Sequence, residues 1–408
     1  MKSIIKYVSF LGLGAAIVLS SCQKKLDEAY ANPNATTRVP VETLLPSLIG
    51  SMLGSSAASG SAYGIAGDAL LIGRYIQYWG TFSTTTSPVS YAASNQSNYD
   101  VMAGTVGTSD NLGSVWAAHY FGMGANLNRM VEWASEEQKW DFVGAGWALR
   151  AWSLLEATNE YGEMPLREAF NASQQVFKYD VQPEIYDSVR TICFRSLSYF
   201  NRTDGNMGQK FADADAYFNK GDIGRWKKFV YGILARSYAY ISNKQTYSAD
   251  SVIKYTDLSM TSNADNATLK FAATGISGTS NYFGPFRGNA GTIRQSAFIA
   301  DLLSGSNPDI FTGVTDPRAP YLLRENPNGT YKGIIPWKGS TGVSAGDLPS
   351  NFWGNPYIST TSSTPDSSRY IFRDNAEFPV MTASEMQFLK AEAAYRKNDR
   401  TTALAAYV

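Results

Sequence analysis

The chain has 408 residues, enough to bury a substantial core without disulfide or metal staples. Hydrophobic residues make up 44% and charged residues only 17%, which excludes charge-driven disorder. Its 35 basic residues balance 35 acidic ones, so no global field steers it toward phosphate backbones, and no nucleic-acid partner is expected. One His and two Cys are too few for a Cys/His zinc site or a disulfide framework. Carboxylate-bound calcium stays open, and no metal or cofactor is assigned. The excess is aromatic: 9 Trp, 25 Tyr and 20 Phe, alongside 35 Gly.

Residues 1–21 read as a lipoprotein signal peptide. Lys2 and Lys6 form a basic start, and the apolar run over 8–19 is interrupted by Ser9, Gly12 and Gly14. That run is shorter than the about 20 apolar residues a membrane helix needs. It ends in Leu19-Ser20-Ser21-Cys22, which is similar to a bacterial lipobox. Cleavage before Cys22 and acylation of its sulfur and new amine would give a firm lipid anchor. The competing reading is an ordinary secretory signal with an incidental Cys. Residues 22–38 then form the lipidated Cys and a polar tether, with turn-formers at Asn32-Pro33-Asn34.

Helical periodicity dominates the chain beyond the tether. Trp140, Val143, Trp147, Ala151 and Leu154 lie on one helix face that ends at Tyr161-Gly162, with Pro165 beyond. A second helix opens at Asp222 as its cap and carries Trp226, Phe229, Val230, Ile233, Leu234 and Ile241 on one face. Weaker patterns predict helices over 44–53, 65–79, 115–134, 185–200, 251–260, 293–303 and 384–396. Pairs such as 115–134 with 137–160 predict stacked helical hairpins of tetratricopeptide type, although no clean period of about 34 residues is present. The stretches 81–98, 271–291 and 307–374 are rich in Gly, Ser, Thr, Asn and Pro, and read as long loops with a few short strands. A last helix begins at 401 and has no C-cap, so 39–408 reads as a single helical domain, incomplete at its C-terminus.

The aromatic residues of the long loops are the candidates for function. A sugar ring presents a patch of C–H bonds on one face and hydroxyls around its rim, so binders stack it on Trp or Tyr and place amides or charges at the edges. Tyr78, Trp79 and Tyr91 with Asn95 and Gln96 form one such group; Tyr99 lies close by. Tyr282, near Asn281, Phe283 and Phe286, is a second. Trp353 and Tyr357, with Asn351, Asn355 and Arg369, are a third. The bland alternative is that these rings only seal loops to the helical body. Trp226, Phe229 and Leu234 read as core, Arg225 and Arg236 as partners of acids on neighbouring helices, and Asp316-Pro317-Arg318 as a turn without chemistry. Cys193 reads as a core thiol and His119 as a satisfied core or interface His. No catalytic residue is assigned: a glycoside hydrolase needs only two carboxylates, which composition does not exclude, but no motif singles out a pair.

Five stretches together resemble the SusD/RagB-like outer-membrane lipoproteins of Bacteroidetes. They are the lipobox with its tether; Ala148-Leu149-Arg150-Ala151 through Tyr161-Gly162-Glu163-Met164-Pro165-Leu166; Gly221-Asp222-Ile223-Gly224-Arg225-Trp226-Lys227-Lys228-Phe229 through Leu234-Ala235-Arg236; Asp316-Pro317-Arg318; and Ser384-Glu385-Met386-Gln387-Phe388-Leu389-Lys390-Ala391-Glu392-Ala393-Ala394. Glu163 stands where many members have Asp, and the chain stops where the family usually continues. The resemblance implies a mainly α fold, with tetratricopeptide-like helix pairs, long aromatic-rich loops and a few short strands. It further implies a non-enzymatic, surface-exposed lipoprotein of the outer membrane that binds an oligosaccharide or similar nutrient and delivers it to a TonB-dependent SusC-like transporter. A peptide ligand, or a surface glycoside hydrolase, is the alternative.

Overall fold

The computed structural model describes residues 38–54, 64–81, 113–171, 173–275, 277–291, 293–335, 343–354 and 369–408. The chain divides into Met1–Pro40 and Val41–Val408, and all the elements named here belong to the second unit. It is mostly helical with a few short strands, as its apolar periodicity predicts.

The first half runs α1 (Leu44–Leu53), α2 (Ile65–Tyr75), β1 (Trp79–Thr81), α3 (Gly113–Ala117), a π-helical turn (Ala118–Gly124), α4 (Ala125–Glu136), α5 (Trp140–Tyr161), α6 (Gln182–Phe200), α7 (Gln209–Ala214), α8 (Ile223–Ala239) and α9 (Ala249–Leu258). The second half holds β2 (Ala267–Leu269), β3 (Ile293–Gln295), α10 (Ala297–Ser304), β4 (Ser306–Asn307), β5 (Phe311–Thr312), α11 (Ala319–Leu322), β6 (Phe378–Met381), α12 (Ala383–Arg396) and α13 (Arg400–Tyr407). Helices pack in a tetratricopeptide-like stack: α4 on α5, α5 on α6, α6 on α8 past the short α7, α8 on α9, α9 on α12 across the loop lobe's elements, and α12 on α13.

Local chemistry sets the helix ends. Asp222 caps α8 by accepting from the Arg225 N–H at 3.1 Å. Gly162 ends α5 at φ 77°, where its N–H donates to the Thr158 carbonyl at 2.8 Å. Two predicted helices are shorter than their patterns. The one over 65–79 stops at Tyr75, because Gln77 turns the chain at φ 60° and Tyr78 bonds back to the Gly73 carbonyl, releasing Trp79 into β1. The one over 293–303 begins as β3 and becomes helical only after Ser296, whose hydroxyl accepts from Ile299 N–H. The π turn inside 113–136 widens the helix and leaves carbonyls without their usual partners. Arg150 reaches across from α5 to supply one, donating to the Gly124 carbonyl at 3.0 Å and to Asn128 Oδ1 at 2.7 Å.

The core lies along the stack and continues into the loop lobe through Phe283, Ile293, Phe352, Trp353 and Phe372. Trp226 is buried against Phe218, Phe200 and Phe211, with its indole N–H donating to Asp215 at 2.8 Å. Asp215 also accepts from Gly221 and Asn219 backbone N–H groups, while burial pushes its carboxyl up to about 6. Cys193 is fully buried, and burial raises its thiol pKa far above the ordinary range, so it behaves as a small hydrophobe. His119, on the π turn, is buried with Nδ1 2.9 Å from Ser153 Oγ. Arg236 of α8 grips both oxygens of Glu385 at the start of α12, at 2.6 and 2.8 Å, together with Glu156 of α5 at 2.7 Å and the Val380 carbonyl. Burial works against its charge, and Glu385 and Glu156 restore it. Three of the resembling stretches thus meet at one guanidinium. Arg225, expected to pair with an acid, donates instead to the Ala264 carbonyl.

The loops need a different account. Among the described residues the strands pair as antiparallel two-stranded ladders, β1 with β3, β2 with β6 and β4 with β5, and Ser296 makes an isolated parallel bridge with Ile334. Turn and loop backbone bonds, such as Asn281 N–H to the Asp374 carbonyl, add to these, and buried polar side chains hold further carbonyls. Asn281 donates to the Ile371 and Ala376 carbonyls and accepts from Phe283 N–H. Gln295 donates to the Arg324 and Lys332 carbonyls and accepts from Arg324 N–H, and the Arg324 guanidinium holds the Phe352 carbonyl. Arg294, wholly buried, donates to the Pro349, Gly291 and Ile293 carbonyls.

Candidate functional site: an aromatic-rimmed groove

β1 is pinned beside the loops at both of its faces. Trp79 pairs with Gln295 across the β1–β3 ladder, and the Tyr78 carbonyl accepts from Ser296 N–H. The Trp79 indole donates to the Leu70 carbonyl at 2.8 Å and lies directly on Gly73, where an added Cβ would fall 2.4 Å from the ring. Glycine is therefore required at 73 for Trp79 to sit where it does. On its other sides Trp79 meets Phe283 and Phe352, with ring centroids 6.0 and 6.3 Å away, and Phe352 stacks face to face on Phe372 at 4.1 Å.

This wall bounds a groove of about 500 Å³, a size typical of small-molecule sites. Its described lining is Tyr78 and Trp79, Ile299, Leu302 and Leu303 of α10, Arg318, Leu322 and Leu323 around α11, and Phe352 with Tyr370–Phe372. Two rim tyrosines remain open: Tyr78 is 47% and Tyr370 53% exposed. Tyr370 stands at φ 49°, an uncommon conformation for a bulky residue. Arg369 beside it donates to the Pro320 and Leu323 carbonyls and pairs with Glu325 at 3.2 Å, which ties that turn to α11. Arg318 lies in the groove, its guanidinium held by both oxygens of Asp316.

The expected site residues divide by position. Tyr78 and Trp79 meet in the groove. Trp353 is 1% exposed, and its indole N–H donates to the Phe283 carbonyl at 2.8 Å, so it underpins the wall from within and offers no ring face to a ligand. Tyr282 is half-buried against Phe283 and near Arg287, with its carbonyl accepting from Asn289, and is not part of the groove's described lining. Asn281, Asn351 and Arg369, foreseen at sugar edges, instead hold backbone: Asn351 accepts from Trp353 N–H. Tyr91, Asn95, Gln96, Tyr99, Asn355, Tyr357 and Cys22 lie outside the described residues. Sequence reasoning missed Ile299 and Leu302, whose helix read as ordinary core, and Leu322, whose short helix lies in the stretch 307–374 read as a loop, and gave Arg318 no role beyond its turn. The available signal was the break at Ser296, which turns a single long apolar pattern into a strand and a helix flanking Trp79.

The class is a helical stack carrying a loop lobe with an aromatic-rimmed groove; no helix among the described residues is long and apolar enough to cross a membrane. The SusD-like family, described as starch-binding and associating with the outer membrane, matches residues 33–407, and the chain belongs to it. The fold is also that of solved relatives. A SusD/RagB family protein from Bacteroides thetaiotaomicron is 20% identical, with a TM-score of 0.64 over 91% of this chain and 71% of that one. A SusD homologue from Bacteroides fragilis is 19% identical (TM-score 0.61, 90% and 71% covered). A chitin-binding SusD homologue from Flavobacterium johnsoniae is 16% identical (TM-score 0.63, 90% and 68% covered). No curated protein matches the chain. Family members are carbohydrate-binding proteins associated with the outer membrane.

Proposed function

We propose that this protein is a surface lipoprotein that captures an oligosaccharide without chemically altering it and delivers it to a TonB-dependent SusC-like transporter. Residues 1–21 are removed, and acylated Cys22 anchors the tether to the outer membrane. The observation that carries the reading is the groove, where exposed Tyr78 and Tyr370 stand over a wall built on Trp79 in a chain of the SusD-like family. Stacking on such rings is weak and reversible, which suits capture followed by release. Anchoring beside the transporter raises the effective concentration of captured ligand at its mouth. Isothermal titration calorimetry against plain glucans, chitin oligomers, xylan oligomers and peptides tests the reading. Saturable heat with a saccharide supports it. Saturable heat with peptides alone transfers the groove to peptide capture, and heat that continues after each injection means turnover and overturns capture in favour of hydrolysis.

A further inference from the structure

The groove is poorly suited to a bare polyol. Half-buried Ile299, Leu302 and Leu322 form its aliphatic side, and hydroxyls pressed against them would lose water without gaining a partner. The one charged side chain in its described lining, Arg318, is balanced by Asp316 through contacts of 3.0 and 2.7 Å. Its complement is therefore an uncharged ligand with one stackable face and one compact apolar group. We propose that the groove selects acetylated saccharides. The sugar ring stacks on the exposed rim tyrosines, Tyr78 or Tyr370, and the acetyl methyl enters between Ile299, Leu302 and Leu322. An acetamido group and an O-acetyl ester present the same methyl–carbonyl unit, so both fit this chemistry. Deacetylation exposes a hydroxyl to the aliphatic wall or, in an amino sugar, an ammonium that nothing in the described lining balances.

The inference rests on the capture reading, and the test separates their failures. The purified full chain is titrated with two matched pairs: chitin hexamer against its deacetylated counterpart, and O-acetylated xylan oligomers against the same oligomers after alkaline deacetylation. The second pair is uncharged on both sides. The acetylated member is expected to bind about tenfold tighter or more in at least one pair, the discrimination an apolar pocket achieves over a small group. The responding pair identifies the linkage. Ile299→Thr, which keeps the branch at Cβ, and Leu322→Asn are each expected to abolish the difference in affinity between the acetylated and the deacetylated ligand. Circular dichroism of both variants checks that the fold is kept. Equal binding within both pairs overturns acetyl selection and leaves saccharide capture standing. Selectivity that survives both substitutions puts the methyl elsewhere and also overturns the proposal. Silence in both pairs overturns it too, and titration with plain glucans then decides whether capture survives.

Discussion

The helical stack and the loop lobe are held together by opposite means. In the stack, most backbone groups are satisfied within the helices, and stability comes from apolar burial around Trp152, Trp226 and Phe229, with Arg236 as an ion-paired knot in addition to the hydrogen-bonded Asp215 and Arg150. In the lobe, strands of two to four residues satisfy little, so Asn281, Gln295, Arg294 and Arg324 hold carbonyls one by one. A stack of this kind tolerates change over most of its surface and fails globally when a buried charge loses its partner. A lobe of this kind fails locally, wherever one amide is removed.

The largest effect is expected at the knot. Arg236→Met leaves Glu156 and Glu385 facing each other partly buried, and should cost about 3–5 kcal/mol of unfolding free energy, read as a lower urea midpoint by every probe at once. A change confined to probes in α12 would break the picture of a cooperative stack.

Acid is the next lever on the stack. Burial, aided by the charge of Arg150, pushes His119 down to about 3. Its folded pKa lies below the ordinary value of about 6.5, so its stabilising contribution is complete above that value and is lost as pH falls toward 3. At pH 4 the loss is about 3 kcal/mol. Asp215 acts in the opposite sense: raised to about 6, it binds protons more readily when folded and adds stability as pH falls from 6 toward the ordinary carboxylate value. In His119→Gln, which can keep a hydrogen bond to Ser153, the urea midpoint should therefore rise between pH 6.5 and 4 relative to the parent. Parallel pH profiles would show that His119 does not titrate as its burial requires.

A smaller and local effect sharpens the contrast. Asn281→Ala strips partners from the Ile371 and Ala376 carbonyls and from Phe283 N–H, at about 2 kcal/mol. Amide hydrogen exchange should quicken at 281–286 and 370–376 while α5 and α8 keep their protection. Equal quickening in the helices would mean that lobe and stack unfold as one.

The same contrast explains how much was legible in the sequence. The stack was readable because its determinants are local: the Trp226 face, the Asp222 cap and the Gly162 stop lie within a few residues of what they control, although the helix Trp140–Tyr161 is buried almost all round and not along one Trp140 face. The lobe was not, because an Asn that binds sugar and an Asn that binds a carbonyl 90 residues away look alike in one dimension. Trp353 shows the same ambiguity: a ring in a Gly- and Asn-rich stretch reads as a platform until its N–H is found on Phe283. Tyr78 and Trp79 were legible as aromatics, whereas the aliphatic wall opposite them depends on where α10 and α11 are placed by long-range contacts.

The smallest effect bears on function and separates ring from scaffold. Because Tyr78 and Tyr370 are about half exposed, their rings carry little of the fold, and removing one should cost about 1 kcal/mol of binding, roughly fivefold in affinity, with the melting temperature unchanged. Tyr78→Ala does this without backbone strain. At 370 the backbone sits at φ 49°, so Asn, which tolerates that conformation, is the informative replacement, and Ala would mix strain with lost stacking. Trp353→Phe is the counterpart inside the wall: it leaves the Phe283 carbonyl without its indole donor and should lower stability before it alters affinity. If Trp353→Phe weakened binding in a fully stable protein while Tyr78→Ala and Tyr370→Asn did not, the ligand would lie against the interior side of the wall and the exposed rim would lose its role.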